Sequence, residues 1–208
     1  MSGRPTAPRR LLVISAGLRT PSSTRLLADR LRAAAVTALR ARGLDVADTT
    51  VELREHARDL TAMLLTGTPT PALTGLLDEV GRADAVVLVT PIYSGAYTGM
   101  VKDLVDLLPE DALAGVPVLM GATGGTGRHA LALDHTLRPL LGHVHAVTVP
   151  TAVFAATEDF ATEDPQHPLG ARVARAADEL AALVAGRPPR VQDDPWDVSG
   201  VAELLTDL

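Results

Sequence analysis

Three stretches hold the residue types that could bind or turn over a ligand. In GATGGTGRHA, Gly121 to Ala130, the spacing Gly125-x-Gly127-x-x-Ala130 follows the apolar run GVPVLM. Such glycines can cradle a dinucleotide pyrophosphate at a strand-to-helix turn. A dinucleotide fingerprint, however, follows the first strand of its fold and carries an acid about 20 positions on. Here the stretch lies in the second half of the chain, and the next apolar strand ends TVPTAVF with no acid until Glu158. The spacing is a coincidence of glycines. What Thr123, Gly124, Gly125 and Thr126 do offer is a floor of exposed N–H groups, suited to carbonyl and ring-nitrogen acceptors such as a flavin edge.

The second stretch, SAGLRTPSST (Ser15–Thr24), combines Ser15, Gly17, Leu18 and Arg19 with three hydroxyls, Ser22, Ser23 and Thr24, at a helix start. Unpaired helix N–H groups, hydroxyls and one arginine make a monophosphate cradle. The plainer reading is an ordinary N-cap in a polar loop. The third, TPIYSGAYTG (Thr90–Gly99), holds both tyrosines of the chain, Tyr93 and Tyr97, beside Pro91, Ile92, Ser94 and two glycines. Backbone amides beside aromatic faces suit a flat heteroaromatic ring. The alternative is that the tyrosines only cover the sheet end.

Other constellations are weaker. His143 and His145 would share a strand face and could start a metal site, but no third ligand accompanies them. Glu158, Asp159, Glu163 and Asp164 read as a solvated loop. There is no Gly-x-Ser-x-Gly elbow, and the absence of cysteine excludes thiolate chemistry and disulfides. No metal site and no acid–base residue is expected.

The elements that must position these loops alternate between strand and helix. RLLVISA, DAVVLVTP, GVPVLMGA and HAVTVPTAV read as strands, with a weaker one near TTVELRE. The first helix shows apolar spacing at Leu26, Leu27, Leu31, Ala34, Ala35, Ala38 and Leu39, closed by Gly43. HARDLTAMLLTGTPTP is a connection with partial helix, followed by helices in TPALTGLLDEVGRA and TGMVKDLVDLLP. GRHALALDHTLRPLLGHV reads as a fourth helix containing Pro139, and LGARVARAADELAALVAG closes the domain. Such alternation predicts an α/β doubly wound parallel sheet, with ligands beyond the carboxyl ends of its strands. The expected organisation is a disordered lead over 1–9, one domain over 10–186 and a tail over 187–208. That tail has a short amphipathic pattern around Val198–Leu205.

Composition agrees. The chain has 208 residues, enough for one core, and a net charge of −6 with no basic block beyond its first residues, which argues against nucleic-acid binding. The uncharged run Ala85–Val101 is interrupted by Pro91, Gly95 and Gly99 and does not read as a membrane span. The apolar run after the first arginines ends at Arg19 without a cleavage site, so the expected location is the cytoplasm.

TPIYSGAYTGMVKDLVDLLPEDALAGVPVL and ATGGTGRHALALDHTLRPLL resemble the NADPH-dependent FMN reductases, in particular those serving two-component flavin monooxygenases. The resemblance runs from about Leu11 to Phe160. It implies a flavodoxin-like five-stranded parallel sheet with strand order 2-1-3-4-5. It implies an FMN phosphate at Ser15, Gly17, Arg19, Ser22, Ser23 and Thr24, and the isoalloxazine between Pro91–Ser94 and Gly124–Thr126. NADPH or NADH as reductant, a homodimer or homotetramer, and a partner monooxygenase are also implied. The serine and arginine spacing in LRTPSST departs from many members. His135 stands where relatives carry an aromatic or histidine that marks a π-type bulge at a tetramer interface. The expected reaction is hydride transfer from nicotinamide C4 to flavin N5. The rivals are an FMN-bound quinone or azo reductase and a flavodoxin-type electron carrier. The carrier is disfavoured because the chain is not strongly acidic.

Overall fold

The computed structural model describes residues 7–160 and 168–190. Its first strand, β1 (Arg9–Ser15), is buried at every position but Arg10. Leu11 and Val13 belong to one apolar cluster and Leu12 and Ile14 to the other, so β1 is covered on both faces. That is why it reads as a continuous hydrophobic run rather than an alternating one. The other strands are β2 (Val46–Glu52), β3 (Ala85–Pro91), β4 (Pro117–Gly124), β5 (Val147–Thr148) and β6 (Val153–Ala156). All pairings are parallel, in the order β2-β1-β3-β4-β5 with β6 also on β4. This is the flavodoxin-like winding, with its switch in order between β1 and β3.

The fifth position of the sheet is therefore two short strands and not the single one expected. β5 pairs with Pro117 and Val118, β6 with Gly121 to Gly124. Pro150 lies between them and has no N–H to give the ladder.

Helices α1 (Ser23–Ala41) and α6 (Pro168–Ala185) pack on one face. The other face is covered by α2 (Ala57–Thr66), α3 (Pro71–Arg82), α4 (Gly99–Asp106) and α5 (Arg138–His143). The buried side of α1 is Thr24, Leu27, Ala28, Leu31, Ala35, Val36 and Leu39, while Leu26 is exposed. The predicted stripe is thus rotated slightly, towards Ala28 and Val36.

The expected fourth helix is broken into a 3-10 turn (Gly127–His129), a π segment (Leu133–Leu137) and α5. Pro139 falls in the first turn of α5, directly after the π segment. Arg138 braces this junction: it pairs with Asp134 at 2.8 Å and donates to Thr148 Oγ1 at 2.7 Å and to the Val149 carbonyl at 3.0 Å. His135 is in the π segment and exposed. His143 ends α5, and His145 sits in a turn with φ of 56°, so the two do not share a strand face.

At the amino ends of the strands Asp84 is a junction. It accepts N–H bonds from Arg10 at 2.8 Å and Arg190 at 2.7 Å, and pairs with Arg9 at 3.6 Å. Arg9, placed in the lead by sequence, is therefore the buried first residue of β1. Residues 1–6, the acids Glu163 and Asp164, and the pattern at Val198–Leu205 lie outside the described residues. Among the described residues no helix is long and apolar enough to cross a membrane.

Candidate functional site

The carboxyl ends of β1, β3, β4 and β6 converge on a cleft of about 370 Å³. Its walls come from all three stretches singled out by sequence. Leu18, Arg19, Ser22, Ser23 and Thr24 form one side, Pro91, Ile92 and Tyr93 another, and Thr123, Gly124 and Gly125 the floor.

The first side is built by the start of α1. Ser22 is its N-cap and its Oγ accepts the Arg25 N–H at 3.2 Å. The amides of Ser23 and Thr24 have no partner among the described residues. They point the positive end of a 19-residue helix at the cleft. Two arginines lie nearby with different commitments. Arg25 is engaged by Asp29 and, through a 2.8 Å bond, by Glu52. Hydrogen bonding and charge from Asp29 and then Glu52 hold its guanidinium above its usual range. Arg19 is exposed on the cleft wall and has no ion pair among the described residues.

The second side is a two-residue turn. Tyr93 and Ala96 exchange backbone bonds of 3.0 and 3.1 Å, with positive φ at Ser94 (52°) and Gly95 (82°), the demand of a type I′ turn. Thr90 Oγ1 accepts the Thr98 N–H at 3.2 Å and fixes the loop to its own strand. The turn leaves Tyr93 half exposed above Ile92, which is buried.

Each side is tied to the floor by one bond. The Ile92 N–H donates to the Thr123 carbonyl at 2.8 Å, and the buried hydroxyls of Thr24 and Thr123 share a 2.8 Å bond. Gly124 packs against Phe154, whose Cζ would lie 2.8 Å from a Cβ there, so this part of the floor requires glycine. At Gly125 an added Cβ would meet nothing within 4 Å. The chain then enters a 3-10 turn and not an α-helix, so the glycine spacing lacks the helix end a pyrophosphate would need.

Five candidates fall outside the cleft lining. Ser15 faces the α1 side with Leu11 and Val13; it is fully buried and its hydroxyl has no partner among the described residues. Gly17 is buried behind Ser22. Ser94 is exposed in the turn, and Tyr97 packs on the core. Thr126 turns its hydroxyl to the Arg128 N–H at 3.2 Å and caps the 3-10 turn. Two lining residues escaped the sequence reading, Pro21 and Thr157. Thr157 follows β6, and applying the strand-end rule to the fifth strand would have found it. Asp159 fixes that corner by accepting the Ala156 N–H at 2.8 Å. No group of three potential metal ligands occurs among the described residues.

Residues 9–161 match the family described as NADPH-dependent FMN reductase. An FMN reductase (NADPH) of Pseudomonas aeruginosa is 38% identical over 183 residues, covering 88% of this chain and 96% of its own length. An NADH-dependent FMN reductase, SfnE, of Pseudomonas putida is 38% identical over 179 residues, 86% of this chain and 94% of its own. Among solved structures, an oxidoreductase from Corynebacterium diphtheriae superposes with a TM-score of 0.82 at 44% identity, covering 86% of this chain and 98% of that one.

Proposed function

With the chain a member of the NADPH-dependent FMN reductase family, an oxidoreductase using FMN with NADPH or NADH, we propose that it binds FMN across the three-loop cleft and releases the reduced flavin to a partner monooxygenase. Bound there, FMN would supply the redox chemistry, its N5 serving as the acceptor for the hydride of nicotinamide C4. What the chain contributes is binding and orientation. Arg19, the Ser22 hydroxyl and the free amides of Ser23 and Thr24 would hold the phosphate. Tyr93 would cover one face of the ring, and the Gly124–Gly125 backbone would meet its polar edge. No side chain acts as acid or base.

The observation that carries this reading is the uncommitted Arg19 at the N-terminus of α1, facing a half-exposed tyrosine across one cleft. A phosphate reader and a ring platform in a single cleft match a flavin mononucleotide. The dependence on a partner rests on the family resemblance, and the openness of Tyr93 supports release. A chain without cysteine gains nothing from an oxidising compartment, and we place the enzyme in the cytoplasm. Reductant consumption with FMN, FAD, riboflavin and a quinone, measured side by side, tests the proposal. FMN should saturate as a second substrate. Faster turnover of quinone, with activity indifferent to added FMN, would instead mark an FMN-bound quinone or azo reductase.

A further inference from the structure

Gly17 is buried directly after β1, and its φ is not in the left-handed region, so its backbone does not demand glycine. Space does. A Cβ at this position would lie 2.3 Å from Ser22 Oγ, 3.2 Å from Thr24 Cβ and 3.3 Å from Ser22 Cβ. The first distance is far inside contact. Neither neighbour is free to yield without consequence. Ser22 Oγ caps α1 on the Arg25 N–H, and Thr24 is tied by its buried hydroxyl bond to Thr123. A side chain at position 17 would turn the Ser22 hydroxyl off the cap and press on the first turn whose amides face the cleft.

We propose that Gly17 sets the selectivity for phosphorylated over unphosphorylated flavin. The volume of its missing side chain is occupied by the Ser22 hydroxyl, which makes Ser22 the loop's phosphate-reading hydroxyl and keeps it beside the amides of Ser23 and Thr24. Gly17 touches no ligand; it is a positioning residue acting through Ser22. This inference rests on the phosphate assignment made above.

The test is a double-mutant cycle of wild type, Gly17→Ala, Ser22→Ala and the pair, each titrated with FMN and with riboflavin. Wild type alone examines the phosphate assignment: equal affinity for the two flavins removes that reading, and this proposal with it, before Gly17 is at issue. Where wild type prefers FMN, G17A should weaken FMN roughly tenfold and leave riboflavin unchanged. S22A should show a similar loss. The double variant should bind FMN no more weakly than S22A, because the 2.3 Å overlap goes with the hydroxyl and the remaining contacts, 3.2 Å to Thr24 Cβ and 3.3 Å to the Cβ at position 22, need only a few tenths of an ångström of give. Additive losses in the double variant, or wild-type FMN affinity in G17A, overturn the proposal. Should G17A fail to fold, the double variant decides: folding with the FMN affinity of S22A supports it, and remaining unfolded overturns it.

Discussion

Arg19 and Arg25 lie within one loop and one helical turn of each other, yet only one of them can serve an incoming anion. Arg25 already answers Asp29 and Glu52, whereas Arg19 has no carboxylate partner among the described residues. Arg19→Ala should therefore weaken FMN by about 1–3 kcal/mol, the worth of one charge-assisted contact, and leave riboflavin unaffected. Titration of both flavins checks this, and equal FMN affinity in mutant and wild type removes Arg19 from the site. Gly125 offers a complementary probe. Its Cβ position is open, so Gly125→Val should keep the wild-type melting temperature while flavin affinity falls. A rise confined to the nicotinamide KM would instead revive the dinucleotide fingerprint. At this scale the sequence discloses the residues whose types are unusual, such as both tyrosines in one loop. It does not disclose direction. Ser15 and Tyr97 share the chemistry of their neighbours but face the core, because strand alternation and loop packing orient them.

At the ends of the strands, side chains lock elements together, and these locks have measurable signatures. Glu52, the last residue of β2, is bonded by Arg54 at 2.7 Å and Arg25 at 2.8 Å. Arg54 first, and then Arg25, hold its carboxyl below the usual carboxylate range. A lowered folded value stabilises the fold above the unfolded pKa of about 4.3, and that contribution is lost as pH falls through the folded value. Glu52→Gln should thus be less stable than wild type at neutral pH, and the gap should close in acid. Denaturant melts at pH 7 and pH 3 show it; a gap constant with pH refutes it. At the opposite end, Asp84→Ala would strip two N–H groups of their acceptor and leave Arg9 buried without its carboxylate. The cost should be about 3 kcal/mol in urea unfolding, with FMN affinity intact because the cleft lies at the far edge of the sheet. Continuous apolar runs made β1, β3 and β4 legible from residues alone. The π segment was not. DHTLRP has ordinary helical spacing, and the brace that accompanies its irregular turn, Arg138 onto Thr148 and Val149, is tertiary. Only the resemblance at His135 pointed to it.

For the molecule as a whole, the question is whether flavin stays. Only one tyrosine lines the cleft, and half of its surface is exposed. Each stacked aromatic face adds about 0.5–1.5 kcal/mol, so a single partial face among the described residues argues for exchange on the turnover timescale. The protein should purify largely free of FMN and show saturation with added FMN. Stoichiometric flavin surviving prolonged dialysis would show the opposite. The stepped fifth position of the sheet has a further consequence, one for solubility at high concentration. A foreign strand laid along that border would find two residues to zip against, then a four-residue break over 149–152 that includes an imino acid unable to donate, then four residues in a shifted row. No template of useful length survives such a step. On that side, ribbon-like growth is blocked by the backbone itself.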